Sequence, residues 1–486
     1  MANLSSVRNS TQYMPANFVL IALITVLFTA PCLSLEWEIE VVDVGRSPSL
    51  GLDQSGNPHI GYCSAGDLRY AHRAIEGWYR ETVDTLGSVG SCALALDSAG
   101  NPHISYYVDS YHLKYACRIG TSWTLEYVST EDPQPDWWGV DNALFMDAAD
   151  NPHISHLGEG LNRYTYGIWY HYKSSDSWLG TYFDLQLLAE GSSAANTSIV
   201  RDVNGITHLG CTVRTCSRDV GTVFYFQYAH DPFLEWNFAE PWGGASNPCL
   251  GLASPNDVYM GVTIFGEENY PYWDSTYVAL ARRIGSDWSY EVVDGPAISE
   301  STPGWLDWFV SLDFDALNRP HMSFCNNEGE LLYAYKDSGG WHVENVDYSL
   351  SGFEETSIAV DEYGNAHIAY YDTDGDEIKY ARALINLVGG IQSNEIVLTW
   401  TPWPVVTEYW IYGTDVSPYF VPGIGPNFLY RLDVLSPDIT SWSSPNGIGN
   451  PNENWTYLVI AVDDAESEIT HSNRAGEQDF DTSFGQ

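Results

Sequence analysis

Three segments of this chain crowd tryptophan and carboxylate together. Residues 131–141 carry Asp136, Trp137, Trp138 and Asp141; residues 266–276 carry Tyr272, Trp273 and Asp274; residues 299–309 carry Trp305, Asp307 and Trp308. Aromatic rings stack on the apolar faces of sugars, and carboxylates accept sugar hydroxyl protons. The set reads as a contact surface for a neutral carbohydrate; the competing reading is tryptophans that pack the loops down on a scaffold. Cleaving a glycosidic bond would need two carboxyl groups roughly 5–10 Å apart, and these loops offer many pairs. His156 is the histidine to test for function, because sister segments carry tyrosine in its place. Asp372, Asp374 and Asp376 alternate around Gly375. Oxygen ligands at that spacing could wrap a calcium ion, although no glutamate closes the loop, and a hairpin with solvated acids is the alternative. No other cofactor is implied.

These residues hang on a repeat. LDQSGNPHIGY at 52–62 returns as LDSAGNPHISY at 96–106 and MDAADNPHISH at 146–156. Weaker copies place histidines at His208, His321 and His367, and a degenerate copy at 253–262 has Val258 instead. Each unit reads as strand, Asp-x-x-Gly-Asn-Pro turn, strand, polar loop, strand, turn, and a last strand opening on tryptophan. Four antiparallel strands per unit make a propeller blade, and seven units make a seven-bladed β-propeller. The histidines recur as framework residues do.

The ends supply a closure. The last unit stops after its third strand near Ala383, and the first is preceded by EWEIEVVD, an orphan outer strand with Trp37. The N-terminal strand is therefore expected to complete the last blade and remove the open sheet edge. Loops joining the outer strand to the next blade share one face with loops between second and third strands. That face holds the aromatic and acidic segments and is where function is expected.

Residues 1–34 read as a signal peptide, with the apolar run FVLIALITVLFTAP too short to span comfortably. A lipid anchor at Cys32 is the alternative. The protein is thus expected to be secreted, periplasmic or at the cell surface, with no membrane insertion after leader removal. A formal charge of −44, with 20 basic and 64 acidic residues, excludes nucleic acid as a partner, because that binding rests on phosphate neutralisation by Lys and Arg. Two inter-blade disulfides are expected in such a compartment, Cys63–Cys92 and Cys211–Cys249, with Cys216 a competing partner for Cys211; small buried thiols are the alternative.

After Ala383 the repeat ends. Short strand-like runs separated by Pro, Gly, Asn and Asp over 384–475 predict a small β-sandwich, and residues 476–486 a polar tail. The segments LTW at 398–400, YWIY at 409–412 and YLVIAVD at 457–463 resemble a fibronectin type III module. Over 36–383, the Asp-x-x-Gly-Asn-Pro-His-Ile-x-Tyr repeat with its tyrosine-bearing third strand resembles the BNR-type repeats of sialidase-like bacterial propellers. That resemblance implies the fold. Sialidase boxes of the form S-x-D-x-G-x-x-W and an arginine triad are absent, so sialidase activity is not implied.

The chain as read is an all-β, seven-bladed propeller of residues 35–383 followed by a sandwich. It is expected to be a monomeric, non-catalytic protein that binds carbohydrate or an extracellular protein through its loop face. The alternatives are a glycoside hydrolase or polysaccharide lyase on that face, or an adhesion component without a small ligand.

Overall fold

The computed structural model describes residues 36–74, 77–85, 87–109, 112–128, 141–159, 166–184, 192–215, 221–228, 245–254, 256–265, 275–285, 287–298, 309–326, 328–337, 339–384, 387–392, 395–400, 408–414, 430–437, 439, 441–443, 456–462, 468–471 and 475–476. Every regular element among them is a strand. The expected signal peptide and polar tail lie outside the described residues. None of the described elements is a helix long and apolar enough to cross a membrane.

Unit 1 shows the pattern. Its strands are Arg46–Leu52, Pro58–Ser64, Asp67–Ala74 and Gly77–Asp84, paired antiparallel in chain order. Units 2, 3, 5 and 6 repeat it from inner strands Val89–Leu96, Asn142–Met146, Ala245–Ser254 and Val310–Phe314. Unit 7 takes its fourth strand from the N-terminus: Glu36–Val44 pairs with Glu377–Leu384, setting Trp37 opposite Ala383 and Glu40 opposite Tyr380. Inner strands of successive units touch in cyclic order, with unit 7 against unit 1, so the sheets close a ring. The structure thus holds six complete four-stranded blades rather than the expected seven. Unit 4 is a three-stranded sheet, Ser192–Arg201, Thr207–Thr215 and Gly221–Tyr228, because its expected outer strand with Trp236 lies outside the described residues.

The repeated residues explain the ring. In each regular turn one aspartate accepts backbone amides two and four residues on, as Asp53 does from Ser55 at 2.8 Å and Asn57 at 2.9 Å. The turn needs a left-handed residue, supplied by Gly56 at φ 74° and Gly100 at φ 79°, and by Asp150 and Asn318 where glycine is missing. The other aspartate oxygen faces histidine Nε2, at 3.7 Å for Asp53–His59 and 3.5 Å for Asp361–His367. Histidine Nδ1 meets a third-strand tyrosine hydroxyl, Tyr70 at 2.5 Å from His59 and Tyr333 at 2.6 Å from His321. That tyrosine meets the edge of a tryptophan on the next unit's outer strand. The pairs Tyr70–Trp123, Tyr115–Trp178, Tyr225–Trp288, Tyr333–Trp37 and Tyr380–Trp78 have centroids 5.0–5.3 Å apart, which is edge-to-face geometry. Unit 5 loses the set together. Against the expectation of Val258, Tyr259 stands at the histidine place while Val258 takes the proline place, and Leu280, opposite Gly261, stands where the tyrosine would be.

A second latch uses the Val-Asp that ends an outer strand. Asp43, Asp84 and Asp347 accept the hydroxyls of Tyr62, Tyr106 and Tyr370 of the following unit at 2.6, 2.7 and 2.8 Å. Each also pairs with a third-strand cation, Arg69, Lys114 or Lys379. Lys173 pairs with Glu126 and Lys336 with Glu291, again between units. All four lysines of the chain are therefore held in ion pairs.

Beyond Leu384 lie two further antiparallel sheets. One joins Leu387–Gln392, Glu395–Trp400 and Ser441–Ser443; the other orders Tyr430–Leu435, Glu408–Thr414, Thr456–Val462 and Glu468–His471, with Ala475–Gly476 on Thr456–Val462. Buried Trp400 of the first and buried Tyr409 of the second meet at 5.4 Å.

Lys114→Ala strands Asp84 in the core and should cost about 3–5 kcal/mol. Lys336→Ala, whose partner Glu291 is 41% exposed, should cost under about 1 kcal/mol. Urea unfolding of both variants checks the contrast.

Candidate active site at the mouth of the ring

Inner strands are edge strands on their axial side, so their amides need acceptors from elsewhere. Neighbouring units supply them. Ser49 Oγ accepts the Leu94 amide at 2.8 Å, Ser198 Oγ that of Leu250 at 2.9 Å, Ser311 Oγ that of Ile358 at 3.0 Å, and Ser357 Oγ that of Leu50 at 3.0 Å. The core residues Leu50, Leu94, Leu144, Ile199, Leu250, Leu312 and Ile358 hold one register, each opposite a second-strand Ile, Leu or Met.

Three residues before that register lies the mouth of the ring on the loop face. The seven positions are Ser47, Ser91, Asp141, Asn196, Asn247, Phe309 and Glu355. Four are left-handed, Ser47, Asn196, Asn247 and Glu355, with φ between 48° and 56°. Glycine or asparagine tolerates that conformation; serine and glutamate are strained there. Strain of this kind accompanies a bulge at the start of each of those strands.

Asp141 and Glu355 are the two acids of this ring. Asp141 Oδ2 accepts the Thr197 amide of unit 4 at 3.1 Å. Glu355 Oε1 accepts the Ser47 hydroxyl of unit 1 at 3.1 Å. Glu355 Oε2 is sealed from solvent without a hydrogen-bond partner. Burial raises the Asp141 carboxyl to about 6, and the Glu355 charge pushes it the same way, against the Thr197 and Asn142 amides. Burial also raises Glu355, helped by Glu354 and opposed by Ser47. The two carboxyls come from units 3 and 7, and the Glu355 charge adds to the rise of Asp141. Both residues are only part-covered.

Asp141 was singled out by its neighbours in sequence, and the structure puts it in this ring. Asp136, Trp137, Trp138, Tyr272, Trp273, Asp274, Trp305, Asp307 and Trp308 lie outside the described residues. His156 is wholly buried and not a surface ligand group. Its Nδ1 meets Tyr107 Oη at 2.6 Å and its Nε2 meets His171 Nδ1 at 3.1 Å, with Trp169 stacked alongside. Burial keeps it well below the usual histidine range, with His171 adding repulsion. Asp372, Asp374 and Asp376 do not converge. Asp372 pairs with Lys379 at 2.6 Å, Ser349 Oγ donates to Asp372 and Asp374, and Asp376 accepts Tyr371 Oη. No metal-binding group of three or more His, Cys, Asp or Glu occurs among the described residues.

The six described cysteines are free thiols in this structure. Cys211 and Cys249 fail for a reason of register. Cys63 is four residues past His59, but Cys211 is three past His208; Cys92 is two before Leu94, but Cys249 is one before Leu250. A one-residue slip reverses the face of a strand residue. Cys211 accordingly packs with Leu157 and Ile168, and Cys249 with Leu312 and Phe314.

No protein-family model matches the sequence, and no curated protein does. Solved structures similar to the chain are propellers. An ulvan lyase titled as a new polysaccharide lyase family shares 11% identity at TM-score 0.43, covering 70% of this chain and 94% of that one. The polysaccharide lyase Uly1 shares 8% at 0.42, covering 70% and 89%. An α-L-arabinofuranosidase of Fusarium graminearum shares 10% at 0.38, covering 61% and 92%. The first expectation was a non-catalytic binder; these solved structures are named as carbohydrate-active enzymes instead, the class of the alternative reading.

Burial lowers His208 to about 4, whereas the unfolded chain protonates it near 6.5. Its neutral packing therefore stabilises above pH 6.5, and that contribution is lost as pH falls toward 4. His208→Asn should lose up to about 3 kcal/mol less than the parent between pH 6.5 and 4. Urea titrations at both pH values measure it.

Proposed function

We propose that the protein is a carbohydrate-active enzyme that cleaves glycosidic bonds at the mouth of the ring, with Asp141 and Glu355 as its working pair. The carrying observation is that the two acids of the mouth ring repel each other, and one has an oxygen with no partner. A pair of this kind holds one proton through mildly acidic pH. The protonated carboxyl gives its proton to the leaving glycosidic oxygen. The ionised one activates water, or attacks the sugar, as positive charge builds at the anomeric carbon. The aromatic and acidic segments at 131–141, 266–276 and 299–309 would flank the opening and hold sugar rings by stacking.

In this reading unit 4 gains its outer strand from the segment with Trp236 and becomes the seventh blade, of BNR type. The two C-terminal sheets form a fibronectin type III-like sandwich that spaces or presents the propeller. The leader directs the chain out of the cytoplasm, where it meets its glycan as a monomer.

Asp141→Asn and Glu355→Gln should each lower the release of new reducing ends or unsaturated ends from a glycan panel by at least about 100-fold. Parent activity should fall as pH rises past about 6, because the proton that must be donated is then lost. Full activity in both variants removes the pair from the chemistry. The same Asp141→Asn variant carries a stability signature. A carboxyl raised in the fold stabilises below its unfolded value near 3.8, and that contribution is lost as pH rises through about 6. The melting temperature of Asp141→Asn should thus improve relative to the parent on going from pH 4 to pH 7.5.

A further inference from the structure

We infer that Cys63 and Cys92 form an inter-unit disulfide during oxidative folding, sealed afterwards from reductant. Three other units make an equivalent contact by hydrogen bonding. Two residues past the repeat histidine, a serine reaches the next unit's inner strand two residues before its core position. Ser105 bonds Asn142 at 2.5 Å, Ser155 bonds Thr197 at 2.9 Å and Ser323 bonds Thr356 at 2.7 Å. Unit 1 has Gly61 at the serine position, and unit 2 has Cys92 at the receiving one. The next residue on the face of Gly61 is Cys63. Cys63 and Cys92 belong to one buried cluster with Leu68, Leu94 and Tyr106. Their thiols face each other within hydrogen-bond reach, and Cys92 Sγ also donates to the Ser47 carbonyl at 3.4 Å.

The two thiols are 2% and 9% exposed as residues, and the Cys92 thiol is raised well above its usual range. A thiolate is the attacking species in exchange, so the folded protein reacts slowly with an external disulfide. The unfolded chain has no such barrier. One thiolate attacks an external disulfide RSSR and releases RSH, giving a mixed disulfide. The second thiolate then displaces the other RSH. Two protein thiols are oxidised, one external disulfide is reduced to two thiols, and one S–S bond forms. Cys211 and Cys249 cannot follow this route, being on opposite faces of their strands.

Refolding the reduced, denatured full chain in a glutathione disulfide–glutathione buffer, followed by non-reducing peptide mapping, tests the inference. The expected result is one linked peptide joining Cys63 to Cys92, with Cys117, Cys211, Cys249 and Cys325 alkylated after denaturation. Treating folded, reduced protein with the same buffer should form the bridge at least about tenfold more slowly. The bridge should raise the melting temperature by about 3–5 °C over the same preparation refolded in reductant. Alkylation of both Cys63 and Cys92 after oxidative refolding, or linkage of either to another cysteine, overturns the inference. The mapping uses the natural chain, so no variant needs to fold. A Cys63→Ser/Cys92→Ser pair adds a control, in which the melting temperature should no longer depend on the refolding buffer.

Discussion

Every inner strand in this ring has an edge that no fifth strand covers. Its amides point where a buried backbone donor must still find an acceptor. The solution is lateral: side-chain oxygens of one unit accept amides of the next. Ser49, Ser198, Ser311 and Ser357 do this one residue before the core leucine or isoleucine. The units are thereby bound through polar groups at the axis and aromatic ones outside it, where a tyrosine of one unit meets a tryptophan of the next. Closure by Glu36–Val44 adds no new principle. Trp37 repeats on Tyr333 the contact that Trp78 makes on Tyr380.

Much of this was legible because the repeat exposes it. The turn aspartate, the left-handed glycine, the histidine, the tyrosine and the opening tryptophan recur at fixed offsets, and each performs one local task wherever it occurs. The orphan outer strand was legible for the same reason. Unit 5 confirms the logic from the other side. Losing the histidine to Tyr259 coincides with losing its tyrosine partner to Leu280, as expected when neither has work without the other. His156 was misjudged because its irregularity looked functional, whereas burial against Tyr107, His171 and Trp169 accounts for it. The disulfide expectation for Cys211 and Cys249 failed on a single residue of register, which is invisible until the histidines are aligned.

The mouth ring was the missed signal. Counting back three residues from the core position gives Ser, Ser, Asp, Asn, Asn, Phe and Glu. Glu355 stands out there only once its strand, FEETSIAV, is laid beside AANTSIV and SNPCLGL. Asp141 was noticed for the wrong reason, as a neighbour of Trp137 and Trp138. Charge counting was a coarser guide. The net charge of −44 says nothing of where cations sit, yet the scarce cations are informative individually, since all four lysines are spent in ion pairs.

One comparison decides how far Asp141 and Glu355 can be read as chemistry. Asp313 is also an inner-strand acid, buried and raised to about 6. It accepts the Val360 amide of the next unit at 2.7 Å and the Phe314 amide at 2.8 Å. An acid can therefore serve this fold purely as an edge acceptor, and a raised carboxyl alone says nothing of catalysis. Asp313, though, has both oxygens engaged and lies on the turn side of its strand. Asp141 and Glu355 lie on the loop side, at the same repeat position of two units, and the Glu355 charge helps raise Asp141. Glu355 also keeps Oε2 bare in a backbone conformation that disfavours glutamate. Ser91, at the same repeat position, meets its neighbour differently, accepting Asn142 Nδ2 at 3.1 Å, so the contact of Glu355 with the Ser47 hydroxyl belongs to the glutamate alone among the described contacts of this ring.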